Sequence, residues 1–215
     1  MRYKAAVRRK VYIYMRNRSD REVFDQAYYR RFYVDRRTRV ISAQESRSRA
    51  QWVASFAQQL DIQVRKILDM GCGLGGMRRP LLRTFPNARY TGVEISEYLC
   101  RRYGWTHASL EDFRTREKFD LVICVDVIQY LDDAQAAAAI KHLARWCRGV
   151  LYFFVPTRED WRDNVDHAVT DTNVHVRDAH WYRQRLRKDF RHLGNGFLVK
   201  RDIELTQWTM QAPWL

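Results

Sequence analysis

From about residue 61 onward the chain alternates short apolar runs with stretches of helical texture. The runs are KILDM (66–70), YTGVEI (90–95), THASL (106–110), FDLVICV (119–125) and GVLYFFV (149–155). Each has the length and apolar content of a strand buried on both faces. Between them the pattern predicts helices over 76–84, over 96–103 with Ser96 as N-cap, and over 134–147 around AQAAAAIKHLARW. Strands joined by helical crossovers of this length make a parallel sheet covered by helices on both sides. A further helix at about 178–192 is expected to lead through LGNG into the strands FLVKRDI and ELTQWTM. The short gap between those two predicts a hairpin and an antiparallel edge.

Upstream the pattern is less regular. A helix is expected somewhere in 20–33, and residues 1–18 fit either a short amphipathic helix or a strand. A clearer helix opens at Ser42, where SAQE reads as a capping box of Ser42 with Glu45. Trp52, Phe56 and Leu60 then recur every four residues as its apolar stripe. No internal repeat or low-complexity linker interrupts the chain.

Composition narrows the class. A chain of 215 residues, 46% hydrophobic and 13% aromatic, buries a real core and is globular. No stretch reaches the roughly 18 consecutive apolar residues of a membrane span. The basic start, MRYKAAVRRKVYIYMRNR, lacks the uninterrupted apolar segment of a signal peptide. Cys72, Cys100, Cys124 and Cys147 show no metal-ligand spacing, which points to reduced thiols in a cytoplasmic protein and away from a metal or disulfide scaffold.

The net charge of +14 is uneven. Residues 1–66 hold 17 Lys and Arg against 6 Asp and Glu, a surplus of 11; the remainder holds 22 against 19, a surplus of 3. In FDQAYYRRFYVDRRTR aromatics interleave with the cations. Such a segment is a solvated arginine face, a grip on RNA or another anionic partner, or a lid over a small-molecule pocket.

The candidate chemistry sits in ILDMGCGLGGMRRPL, where four glycines crowd into six residues after a predicted strand. Gly71, Gly73 and Gly76 satisfy G-x-G-x-x-G; Gly71, Gly73 and Gly75 equally satisfy G-x-G-x-G. A turn of this kind brings backbone N–H groups to the carboxyl edge of a parallel sheet. Asp69, two residues before the first glycine, is unwelcome beside a pyrophosphate but useful to a ligand with positive groups. Glu94 ends the second run and is placed to accept both hydroxyls of a ribose. A nucleoside carrying charge but no phosphate fits these two acids, and S-adenosylmethionine is such a molecule.

These segments resemble the class I (Rossmann-like) S-adenosylmethionine-dependent methyltransferases. LDMGCGLGG is similar to that family's first motif, YTGVEISEYL to its second, and FDLVICVDVIQYLDD to its fourth strand with the adjoining turn. The likeness covers about 65–215. It implies a doubly wound α/β fold, a mainly parallel seven-stranded sheet with an antiparallel C-terminal strand, over residues 61–215. Residues 1–60 are then a basic, aromatic-rich helical extension expected to build a substrate lid. The resemblance implies S-adenosylmethionine as cofactor, held by Asp69, Gly71, Gly73, Gly75, Glu94, Ile95 and Val125. At the adenine, where the family usually offers an aspartate, alignment places Ser109 with Leu110; a shift of three residues offers Asp112 with Phe113 instead.

The acceptor is less defined. The VDVIQYL segment lacks the Asn/Asp-Pro-Pro-aromatic motif typical of enzymes that methylate adenine or amide nitrogen. It resembles instead enzymes methylating small molecules at oxygen or nitrogen, with S-adenosylhomocysteine as product. A small-molecule acceptor is therefore expected ahead of RNA or protein. Asp126 is expected near the methionine end, orienting the acceptor or capping the next turn. Gln129 and Tyr130 are expected to line the substrate mouth, and Tyr28, Tyr29 and Tyr33 the lid. His167 and His175 are candidate general bases or structural histidines. Trp181 and Tyr182 line the pocket or pack, with Leu186 and Phe190, against the sheet.

Overall fold

The structure is a computed structural model and describes residues 24–205. The element expected over 1–18, and most of the ELTQWTM run, lie outside those residues. Strands β1 (Lys66–Met70), β2 (Arg89–Glu94), β3 (Thr106–His107), β4 (Phe119–Val125), β5 (Cys147–Phe154), β6 (Phe190–Gly194) and β7 (Phe197–Lys200) form one sheet. Its order is β3-β2-β1-β4-β5-β7-β6. β1 to β5 are parallel, and β7 lies antiparallel between β5 and β6. The helices are α1 (Gln26–Tyr29), continued by a π-helical turn (Arg30–Val34), α2 (Ala43–Gln59), α3 (Arg78–Thr84), α4 (Glu97–Tyr103), α5 (Asp133–Trp146), α6 (Arg158–Asp163) and α7 (Ala179–Leu186).

The parallel centre arises from its side chains. β4 is buried from Phe119 to Cys124 without a break, so both faces need cover. Leu68, Met70, Val122 and Cys124 face one layer, with Ala139, Ile140 and Leu143 of α5 and Tyr182 and Leu186 of α7. Ile67, Leu121 and Ile123 face the other, with Val53 and Ala54 of α2 and Leu81 of α3. The chain visits β2 and β3 on one side of β1, then crosses to β4 on the other. The carboxyl ends of β1 and β4 therefore flank the point where strand order reverses, the place where such sheets bind ligands.

α2 opens with the Ser42–Glu45 capping box expected for it, but its buried face differs from the predicted stripe. Ala50, Val53, Ala54 and Ala57 are fully buried; Trp52 is 38% exposed. Small residues let the helix approach the sheet, and Trp52 and Phe56 flank it, their rings 5.0 and 4.4 Å from that of Phe197.

Two boundaries are corrected at the C-terminal side. The helix expected over 178–192 stops at Leu186, and Phe190–Gly194 is a strand. LGNG does not link helix to strand; it is the tip of the β6–β7 hairpin, with Gly194, Asn195 and Gly196 all at positive φ. Asn-Gly is the turn chemistry that hairpins favour. β3 is also shorter than the run THASL. The Ser109 hydroxyl accepts the Asp112 N–H at 2.9 Å, a local bond that competes with the strand ladder and turns the chain.

Candidate active site

The turn leaving β1 is shaped by close contact. Gly71 has φ +75°, and an added Cβ would collide with Val127 Cγ2 from the turn after β4. Only glycine fits there, on both counts. Gly73, at φ +51°, differs: a Cβ on it would meet nothing within 4 Å, leaving open space beside its backbone. The Gly71 N–H is bound to the Val93 carbonyl at 2.8 Å, which ties the turn to the end of β2.

Both expected acids are buried beneath this turn, Asp69 and Glu94 each 3% exposed. Asp69 accepts a short bond from the Tyr90 hydroxyl. Burial pushes the Asp69 carboxyl up to about 7 against that donation, with the charge of Glu94 adding to the push. Glu94 Oε2 accepts the Gly73 N–H at 2.8 Å. Its Oε1 accepts the Ile95 and Ser96 N–H groups, both at 3.0 Å, and the Tyr29 hydroxyl at 3.1 Å. The carboxylate is thus aimed at the turn and held by donors on three sides.

A cavity of about 440 Å³ begins at this turn. Of the expected residues, Gly71, Ile95, Ser109, Leu110 and Tyr130 line it. Ser109 and Asp112, alternatives in the sequence, both line it and bond to each other, the Ser109 hydroxyl donating to Asp112 Oδ2 at 2.8 Å. Leu110 also lines the cavity, while Phe113 is buried in the core. Among the described residues no Lys or Arg lines the cavity, whereas Glu111, Asp112 and Asp171 do. Val125 packs into the core on the α2 face; Gly73, Gly75, Asp69 and Glu94 are not among the lining residues, nor are Tyr28, Tyr29, Tyr33 and Gln129, expected from sequence at the substrate pocket.

The segment from Phe24 to Val34 is docked against this end of the sheet. The Ser96 hydroxyl, N-cap of α4, also donates to the Phe24 carbonyl at 2.5 Å. The Tyr28 and Tyr130 hydroxyls are hydrogen-bonded at 2.9 Å. The Phe24 ring lies edge-on to Tyr28 and Tyr130, with centroids 4.9 and 5.2 Å apart. Tyr28, Tyr29 and Phe32 are buried with Leu99 in a separate aromatic cluster against which Tyr33 packs.

Asp126 has φ +56°, a left-handed backbone uncommon for a residue with a side chain. It makes no cap to the 3-10 turn after it, Ile128–Tyr130; its carboxylate pairs with Arg49 at 3.6 Å. Desolvation pushes it up to about 6, with Arg49 pulling the other way, although 37% of the side chain remains in contact with solvent. His167 and His175 are both exposed and neither lines the cavity. His167 stands edge-on to Trp161 at 5.1 Å, and His175 contributes its backbone N–H to the Gln129 carbonyl at 2.7 Å. Tyr182 packs in the core, with Trp181 against it.

Sequence reasoning misses several residues. Buried Arg177 donates to Asp133 Oδ1 at 2.7 Å and to the Leu131 carbonyl at 2.5 Å. Together with the His175 N–H it fastens the loop after α6 to the turn bearing Tyr130. Phe24, Gln135, Asp171 and Asn173 line the cavity. The available signal is the Asp171-x-Asn173 turn, where Asp171 Oδ1 accepts the Asn173 N–H at 3.0 Å. Among the described residues no group of His, Cys, Asp and Glu is placed to hold a metal ion, and no helix is long and apolar enough to cross a membrane.

Comparison with known proteins agrees with this fold. Residues 68–151 match the family described as "Methyltransferase domain". The chain is 25% identical over 131 residues to (S)-coclaurine N-methyltransferase of Papaver somniferum, covering 55% of this chain and 35% of that protein. It is 41% identical over 51 residues to fatty-acid O-methyltransferase of Mycolicibacterium smegmatis, covering 22% and 19%. The chain thus spans about a third or less of the length of these curated relatives. Magnesium protoporphyrin IX methyltransferase from Synechocystis, solved with bound S-adenosylmethionine, superimposes with a TM-score of 0.57 at 21% identity, covering 84% of this chain and 94% of that one.

Proposed function

We propose that this chain, whose residues 68–151 match the family described as "Methyltransferase domain", transfers a methyl group from S-adenosylmethionine to a small-molecule acceptor, at oxygen or nitrogen. The observation that carries this reading is the charge of the site. A turn of glycine N–H groups at the strand-order reversal suits a phosphate as well as a nucleoside. The two buried acids below it, and a cavity wall without Lys or Arg among the described residues, disfavour a pyrophosphate and suit a ligand bearing hydroxyls and positive charge.

When bound, S-adenosylmethionine supplies an electrophilic methyl carbon on a sulfonium, open to in-line attack. The residues then have separate tasks. Glu94 accepts from ribose hydroxyls, Asp69 offers negative charge beneath the turn, and Ile95 and Leu110 enclose an apolar ring while Ser109 or Asp112 meets its amine. Alignment of acceptor and methyl carbon, with water kept out, supplies most of the acceleration. The Phe24–Val34 segment serves as the lid that excludes water.

Calorimetry with S-adenosylhomocysteine and NAD in parallel tests the reading. S-adenosylhomocysteine is expected to bind and NAD to give no measurable heat. Preferential binding of NAD would overturn it.

A further inference from the structure

Resting on that reading, the far end of the cavity narrows the acceptor. Asp171 is 7% exposed and lines the cavity. Its Oδ1 is used by Asn173, but its Oδ2 is buried and has no hydrogen-bond partner among the described residues. Gln129 Oε1 is also buried and unpaired among the described residues, but Gln129 does not line the cavity, contrary to the expectation from sequence. Buried acceptors left unpaired are rare and costly; Asp171 Oδ2 calls for a donor that the described residues do not supply.

The surroundings add charge and aromatic surface. Phe24 and Tyr130 line the same cavity as Asp171, and the Tyr28 hydroxyl is bonded to that of Tyr130 at 2.9 Å. Among the described residues, Arg49 is paired with Asp126, and Arg177 with Asp133 and the Leu131 carbonyl. We propose that Asp171, with Tyr28, Tyr130 and Phe24 about it, forms the subsite for the nucleophilic head of the acceptor, and that this head is a primary or secondary amine on a compact apolar body.

A carboxylate among aromatic faces recognises an ammonium by charge-assisted bonding and cation–π attraction. An alcohol would satisfy the oxygen without the charge, and a carboxylic acid would meet like charge. The bound ammonium first passes one N–H proton to the Asp171 carboxylate, which frees the nitrogen lone pair. That lone pair forms the N–CH3 bond as the methyl–sulfur bond breaks with its electron pair kept by sulfur, and the product leaves as the methylated ammonium.

The test uses phenethylamine, phenethyl alcohol and hydrocinnamate, which share one body and differ in the head, titrated into the protein saturated with S-adenosylhomocysteine. The amine is expected to bind about tenfold or more tighter than the alcohol, with the carboxylate weakest. Asp171→Asn keeps the acceptor for Asn173 and should lower amine affinity by about tenfold. Alcohol and S-adenosylhomocysteine affinities should then stay within about twofold, both well short of the tenfold step. If the melting curve shows Asp171→Asn unfolded, Tyr130→Phe must lower amine affinity selectively instead. Alcohol or carboxylate binding as tightly as amine, no amine binding at millimolar concentration, or an amine affinity unmoved by the folded variant overturns the proposal. Failure of the unmodified protein to bind S-adenosylhomocysteine would overturn the methyltransferase reading as well.

Discussion

The two ends of the cavity are built on different principles. At the glycine turn every carboxylate has its protein partners: Glu94 receives four donors and Asp69 one. At the other end Asp171 Oδ2 has none among the described residues. The first end stands on adjoining strand termini, which the sheet holds in place. The second is assembled from three remote segments, Phe24–Tyr33, Val127–Leu131 and the loop bearing Asp171. One end is organised by the fold before any ligand arrives; the other is completed by the ligand's own donors.

Four experiments press on that contrast, from the largest effect down. The first is pH. The folded-state pKa of Asp69 lies near 7, above its ordinary 3.8, so the folded protein binds this proton more tightly than the unfolded chain. Stability is then undiminished below about pH 4, falls as pH rises towards 7, and is flat beyond, the loss amounting to at most about 4 kcal/mol. Urea titrations of the ligand-free protein should show that slope. Asp69→Asn should flatten most of it, leaving the smaller share of Asp126, which acts in the same direction. A slope equally steep in the variant would mean that Asp69 titrates near its ordinary value.

Gly71→Ala comes next. It sets a side chain at positive φ and against Val127, and should cost about 3 kcal/mol of unfolding free energy. Adding Val127→Ala should return the part due to collision and leave the part due to backbone strain. A neutral Gly71→Ala would show that the turn is not fixed before ligand binds.

Glu94→Ala leaves the Gly73, Ile95 and Ser96 N–H groups without their acceptor and removes the ribose partner. S-adenosylhomocysteine affinity should fall about a hundredfold. Unchanged affinity removes Glu94 from the cofactor site. The smallest effect joins the two ends. Tyr29→Phe removes one of the three donors on Glu94 Oε1 while keeping the ring packed, and should tighten S-adenosylhomocysteine by a few-fold, about 1 kcal/mol. Weaker binding would mean that the hydroxyl assists the ligand and does not compete with it.

Legibility tracks the range of the interactions. β1, β4 and β5 are readable because a run buried on both faces must be apolar at successive positions, and the N-caps at Ser42 and Ser96 because a capping side chain bonds within three residues. The end of β3 is not, because a Ser109–Asp112 turn outcompetes the ladder. The C-terminal hairpin is displaced because the pair Asn195-Gly196 suits a connector as well as a hairpin tip. The stripe through Trp52 misleads since periodicity counts hydrophobicity, whereas the sheet selects the small face of α2 that can come closest. Asp171 escapes because a buried, unpaired oxygen is a property of its neighbours and has no local pattern.

The sequence alone determined a parallel sheet with a glycine turn between two acids, since strand burial, positive φ and a strand-end carboxylate each depend on residues close along the chain. Only the tertiary structure decided that Tyr28 meets Tyr130, that Tyr29 reaches Glu94, and that Asp171 faces a cavity with an oxygen unpaired. Those contacts join segments tens of residues apart. They exist only once the core has closed and fixed the distances between its edges.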